Sequence, residues 1–235
     1  MQWCKEEETL FVINKDTTIC CSFSQNPTNK GCEYFNKLFA EHQINWIYKA
    51  FKVENIRDAV KAMRTLGFRG AGISMPFKTE CLHSVDEMSE EVKTIWAANT
   101  IVNDNGKLTA YNTDWYAAHD LLGMQPVRPD EVIIFGTGGF AKAVAYACKQ
   151  RHLPYQMWSR NQFEDLFNLR NTCVFNCTPV TDLHLRIDKS NTFLDCIIGT
   201  KTGNYLAERQ ARMQFLLYIK GFKYDYQKEK THEVS

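Results

Sequence analysis

The chain has 235 residues, 44% of them hydrophobic and 23% charged, and 28 basic side chains against 27 acidic ones leave a formal charge of +1. That composition is ordinary for a globular protein and excludes a disordered or low-complexity chain, while the lack of a basic excess argues against a nucleic-acid partner. The length fits one large domain or two small ones.

No run approaches the ~20 apolar residues of a membrane-spanning helix. Residues 1–9 carry Lys5 and three successive glutamates without an apolar core, so no secretory signal is expected and a cytoplasmic location is the default. Residues 11–13 and 18–21 are expected to form a strand region. Tyr34, Phe35, Leu38 and Phe39 fall at helical spacing within residues 31–42. Residues 45–51, rich in β-branched and aromatic side chains, predict a second strand. Asn55 is a candidate cap for a helix whose apolar face is Ile56, Ala59, Val60, Met63 and Leu66, with Gly67 as its stop. Residues 70–74 predict a third strand, interrupted at Pro76. Asn105-Gly106 between two β-like runs predicts a hairpin. A helix over residues 113–122 and a junction over 123–129 follow.

Beyond the junction the pattern sharpens. Residues 131–135 predict a buried strand, the glycine-rich Gly136-Thr137-Gly138-Gly139-Phe140-Ala141 comes next, then a helix to Lys149 and another strand at 155–158. Gly136-x-Gly138-x-x-Ala141, set between strand and helix, has the form of a dinucleotide fingerprint: a tight turn, a close backbone approach for pyrophosphate, and a helix N-terminus aimed at the phosphates. The other reading is a glycine turn without a ligand. About twenty residues on, where an acidic residue would hold the ribose hydroxyl of NAD, stands Arg160, preceded by Ser159. Its planar fork suits a 2′-phosphate, and so NADP, unless it is a surface arginine.

Ahead of that unit, Lys78 sits at the mouth of the proline-interrupted strand and is a candidate general base. Asn99-Thr100 and Asn112-Thr113-Asp114 flank the hairpin. The two asparagines could orient hydroxyl groups; Asp114 could take part in chemistry or cap its helix. The nine cysteines contain no Cys-x-x-Cys pair, and the six histidines show no ligand spacing, so neither a metal site nor a disulfide framework is expected. Cys173 and Cys177, four apart in a strand-like run, would share one face.

Taken together, Ser22-Phe23-Ser24, Pro76-Phe77-Lys78, Asn99-Thr100, Asn112-Thr113-Asp114 and residues 136–141, in that order, resemble the shikimate dehydrogenase family over residues 12–160. The first half looks most like the shikimate-dehydrogenase-like branch, since Gln25 and Ser74 stand where main-line members carry Pro and Thr. The resemblance implies an α/β fold in two parts: a substrate domain over residues 1–116 and a Rossmann-like NADP domain over 117–203, with a C-terminal helix in 204–235 returning to the first. It implies a catalytic pair of Lys78 and Asp114, and substrate contacts from Ser22, Ser24, Ser74 and Asn99. Gln210, five residues before Phe215, looks like a family glutamine that touches substrate, although residues 206–212 also match the preceding helix. Cofactor contacts are implied for Gly136, Gly138, Gly139, Ser159, Arg160 and Thr178. The implied activity is NADP-dependent interconversion of 3-dehydroshikimate and shikimate, or a related hydroxylated ring carboxylate.

The chain departs from the family in length. Only 15 positions separate Arg160 from Asn176-Cys177-Thr178-Pro179, too few for the usual extra β–α unit, and a second shortening follows Gly199. The expectation is a cofactor domain trimmed to four strands, leaning on the first domain or on a partner subunit in a homodimer. An alternative is a weakly active or non-catalytic binder of a shikimate-like acid.

Overall fold

The computed structural model describes residues 13–125 and 128–220. The expected strand residues Phe11 and Val12, two positions of the 123–129 junction and the polar tail from Lys223 lie outside the described residues.

The elements follow in chain order: β1 (Thr18–Ser24), α1 (Lys30–Glu41), β2 (Trp46–Lys52), α2 (Ile56–Thr65), β3 (Gly70–Ile73), β4 (Glu87–Met88), α3 (Glu90–Ile95), β5 (Thr100–Asp104), β6 (Lys107–Tyr111) and α4 (Asp114–Gly123). The strands form one six-stranded sheet in the order β2-β1-β3-β5-β6-β4. β1 pairs in parallel with β2 and β3, whereas β3–β5 and β5–β6 are antiparallel. Among the described residues Ile13 lies outside any strand, and β1 begins at Thr18. β4 and α3 had no counterpart in the predicted elements, since each is too short to establish a period.

Local chemistry explains several boundaries. The Asn55 side chain accepts hydrogen bonds from the amides of Arg57 (2.9 Å) and Asp58 (3.3 Å), capping α2 as expected. Asn105 and Gly106, at φ 53° and 93°, turn the β5–β6 hairpin with two left-handed residues.

Because side chains alternate across a strand, Cys20 and Cys21 go to opposite faces of the sheet. Cys21 joins Phe23, Val60, Met63, Ile101 and Leu108 under α2. Cys20 joins Phe35 and Phe39 of α1 and, from the last helix, Phe215 and Tyr218. That helix, α6 (Lys201–Ile219), lies so close that a Cβ on Gly70 would stand 2.2 Å from the Tyr218 ring. Arg69 ties its end down, donating to the carbonyls of Tyr218 (2.6 Å) and Lys220 (2.8 Å), which satisfies acceptors a helix C-terminus leaves open.

The second sheet is built from β7 (Val132–Phe135), β8 (Tyr155–Trp158), β9 (Cys173–Asn176) and β10 (Thr192–Asp195), with α5 (Gly139–Gln150) between the first two. Its four strands are all parallel in the order β10-β9-β7-β8. One face is covered by α4, α5 and the start of α6, through residues such as Leu121, Val144 and Leu206. The other carries only short 3-10 segments, Arg160–Gln162, Glu164–Asn168 and Leu183–Arg186, where helices would be too long for the spacing. The expected boundary at 116/117 falls within α4, whose Ala117, Ala118, Leu121 and Leu122 pack with α5.

Candidate active site

The carboxyl ends of both sheets face one cavity of about 880 Å³. Lys78 and Asp114 meet on its wall. Lys78 Nζ donates to Asp114 Oδ2 at 2.5 Å, with the lysine side chain 20% and the aspartate 7% exposed. Asp114 opens α4, yet its carboxylate does not cap the helix. Asn112 makes the turn, accepting from the Asp114 amide at 3.0 Å while donating to the Ala97 carbonyl at 2.9 Å. The Asp114 carboxylate is thereby left for Lys78 and Asn99.

Asn99 is the hub. Buried to 3% exposure, its Nδ2 donates to Asp114 Oδ1 and Thr113 Oγ1, each at 2.9 Å, and reaches Gln210 Oε1 at 3.2 Å. Its Oδ1 accepts from Thr100 Oγ1 at 2.9 Å and from the Thr113 amide at 2.8 Å. Ser22 and Ser24 line the cavity from the end of β1, Ser74 from beyond β3, and Gln210 from α6. All seven expected catalytic and substrate residues therefore share one cavity wall, and Gln210 lies beside Asn99 through tertiary contact across 111 positions of chain.

Two participants were missed by sequence reasoning. Gln214, one turn after Gln210, is buried and donates to the Asn99 carbonyl and to Thr100 Oγ1, both at 2.9 Å. Its spacing of four from Gln210 was the available signal. Tyr48 lines the cavity with a hydroxyl bonded to Ser22, and burial pushes its phenol far above the ordinary value. The alternation of inward Trp46, Tyr48 and Ala50 in β2 could have identified it.

The glycine-rich turn enters the same site from the second sheet. Gly136 has φ +132°, and a Cβ there would stand 3.1 Å from the Cys177 carbonyl oxygen, so the turn requires glycine. No heavy atom lies within 4 Å of where a Cβ on Gly138 would project, which leaves an open approach to the start of α5. A Cβ on Gly139 would touch the Lys78 stem at 3.9 Å, so the helix N-terminus abuts the Lys78–Asp114 pair. The chain passes from β7 outward to β8 and then crosses back to β9, placing the turn at the switch point where open α/β sheets bind ligands. This cradle fits a dinucleotide pyrophosphate.

Ser159 and Arg160 follow β8. The Ser159 hydroxyl accepts from the Asn161 amide at 3.3 Å as part of a capping box with Gln162, and Arg160 is exposed. Thr178 turns inward, its amide (2.9 Å) and hydroxyl (2.7 Å) both donating to Asn176 Oδ1. Among the described residues no group of three or more His, Cys, Asp or Glu side chains could hold a metal ion, and no helix is long and apolar enough to cross a membrane.

Residues 28–101 match the family model of the shikimate dehydrogenase substrate binding domain. A shikimate dehydrogenase-like protein of Haemophilus influenzae is 45% identical over 139 residues, 59% of this chain and 51% of that protein. The structure of a shikimate 5-dehydrogenase-like protein superimposes with a TM-score of 0.76 at 31% identity, covering 94% of this chain and 98% of the other. The chain belongs to the shikimate dehydrogenase family, in its shikimate-dehydrogenase-like branch. In sequence, the matched stretch spans about half the length of the curated relatives of this family. The shikimate 5-dehydrogenase of Thermus thermophilus, solved with NADP(H) and shikimate, shares the fold at a TM-score of 0.75 and 18% identity over 86% of this chain and 94% of the other.

Proposed function

We propose that the protein is an NADP-dependent oxidoreductase of shikimate dehydrogenase type, reducing 3-dehydroshikimate or a related hydroxylated ring carboxylate. The observation that carries this reading is the Lys78–Asp114 pair, joined at 2.5 Å on the cavity wall and abutted by the glycine turn at Gly139. The paired serines lining the cavity, Ser22 and Ser24, suit a carboxylate, which hydroxyl donors can bind without a broad basic surface.

In this reading Ser22 and Ser24 donate to the substrate carboxylate, with Tyr48 orienting Ser22. Asn99, Gln210 and Ser74 hold the ring hydroxyls, and Gln214 fixes the backbone of Asn99. Bound NADPH supplies the hydride. As the carbonyl becomes an alcohol, its oxygen takes a proton from the Lys78 ammonium; the reverse reaction returns it. Asp114 aims Lys78 and is itself aimed by Asn99. Gly136, Gly138 and Gly139 cradle the pyrophosphate, Arg160 with Ser159 meets the 2′-phosphate, and Thr178 shapes the turn beyond β9.

The domain division follows the same reading: a substrate part to residue 116, a cofactor part over 117–203, and α6 joining them. The test mixes the protein with shikimate and NADP and follows NADPH absorbance, with quinate and NAD as controls. Reduction of NADP by shikimate supports the assignment. The thin cover of 3-10 segments on one face of the second sheet favours a second reading, a shikimate-like ligand binder with an impaired cofactor domain. Shikimate binding without detectable NADP binding would select it.

A further inference from the structure

We propose that Cys177 and Cys196 are a reversible oxidation site that closes to a disulfide between the nucleotide turn and the catalytic pair. The register carries the assignment. Asn176 and Asp195 are the last paired residues of β9 and β10, so Cys177 and Cys196 are the next register partners. The Cys196 amide continues the ladder by donating to the Asn176 carbonyl at 3.1 Å, and the Cys177 amide donates to the Phe135 carbonyl at 2.8 Å. Neighbouring strands lie about 4.8 Å apart, within the roughly 4.4–6.8 Å that Cα atoms of a disulfide span. In-register side chains of parallel strands leave the same face, and both sulfurs pack into the cluster holding Cys173, Phe175 and Leu194.

Access and reactivity fit as well. Both cysteines are half-buried, and Cys196 lines the cavity with Lys78, Asp114 and Phe140. Cys177 donates a hydrogen bond to the Cys196 sulfur, which holds the Cys196 thiol below its ordinary value against the opposing effect of burial. Burial and this same bond push Cys177 up. The pair is asymmetric in access: Cys196 faces the cavity, while Cys177 sits behind it against Gly136, so an oxidant entering the cavity meets Cys196 first. By contrast Cys148 and Cys173 are fully buried and pushed up to about 12 by burial.

The oxidant is hydrogen peroxide. The Cys196 thiolate attacks one peroxide oxygen, the O–O bond breaks, and the departing oxygen leaves as water after taking a proton. The resulting sulfenic acid on Cys196 is attacked by the Cys177 sulfur. The S–O bond breaks, the S–S bond forms, and the hydroxyl leaves as water with the Cys177 proton. Two thiols lose two electrons and one peroxide becomes two waters. Because the Cys177 carbonyl packs against Gly136, the cross-link ties the ends of β9 and β10 beneath the nucleotide turn.

The test does not depend on catalysis. The full chain is treated with hydrogen peroxide, quenched in acid, alkylated with N-ethylmaleimide, digested and read by mass spectrometry. The expected result is a Cys177–Cys196 linked peptide lighter by two hydrogens, reversed by dithiothreitol. The Cys177→Ser variant, checked for folding by circular dichroism, should trap a dimedone adduct on Cys196, whereas Cys196→Ser should leave Cys177 alkylated. Full alkylation of both thiols after peroxide, linkage to another cysteine such as Cys148, or no dimedone adduct on Cys196 in folded Cys177→Ser would each overturn the proposal.

Discussion

Truncating Asn99 to alanine should destabilise the protein strongly, because it dismantles the hydrogen-bond hub of the cavity wall. Five side-chain hydrogen bonds converge on Asn99, at 2.8–3.2 Å, in a site only 3% exposed. Asn99→Ala strips the buried Thr113 amide of its acceptor, an orphaned group costing about 1–3 kcal/mol. It also removes a donor from the Asp114 carboxylate, and a hydrogen bond to a charged group contributes about 1.5–3 kcal/mol. The Thr100 hydroxyl loses its acceptor but keeps Gln214 as donor, and water from the cavity can replace part of the loss. The expected sum is about 3–5 kcal/mol, roughly a fifth or more of the ~5–15 kcal/mol that stabilises a typical fold. At roughly 2–4 °C per kcal/mol for a chain of this size, the midpoint should fall by about 6–20 °C. Urea titration followed by tryptophan fluorescence and circular dichroism measures it, with Gln210→Ala as comparison. Gln210 is partly exposed to the cavity and should cost under about 1 kcal/mol. A loss below about 1 kcal/mol for Asn99→Ala would refute the hub argument.

Lys78→Ala should lower kcat by about 10²–10⁴, the usual contribution of a positioned acid–base group, while KM for shikimate moves by less than about threefold. Unchanged kcat would remove Lys78 from the proton path. Arg160→Ala should weaken NADP binding about tenfold or more, as expected for losing a charge-assisted bond, and leave NAD binding unchanged in parallel titrations. Burial, and then the Arg151 charge, hold the His119 imidazole below its ordinary value. The unfolded chain then binds more protons than the folded one just below pH ~6.5, so this contribution is complete above that pH and is lost as pH falls. The melting temperature of His119→Gln should accordingly vary less than wild type between pH 5 and 7.5, roughly the histidine range.

Much of the site was legible because its residues mark local structure. Pro76 stops a strand just before Lys78, Asn105-Gly106 forces the hairpin that brings residues 99 and 112 together, and Gly136 with Gly138 punctuates a strand–helix turn. The trimming of the second sheet was readable as missing length. The short elements were not: β4 has two residues and the covers of β9 are single 3-10 turns, below any period that alternation or helical spacing can establish. Gln214 escaped notice because its importance lies in what it touches, the carbonyl of a residue 115 positions earlier.

The sequence by itself determined the order of motifs, the residue types available for acid–base and phosphate chemistry, and the turns that present them, since these follow from backbone preferences acting over a few neighbours. Tertiary structure decided the rest. It freed the Asp114 carboxylate from helix capping by giving that turn to Asn112, and set α6 so that Gln210 and Gln214 meet Asn99. It also brought Cys196, the residue after β10, into the cavity beside Asp114. Those outcomes depend on packing between elements distant in the chain, where burial and hydrogen bonding choose among conformations that local preference leaves equivalent.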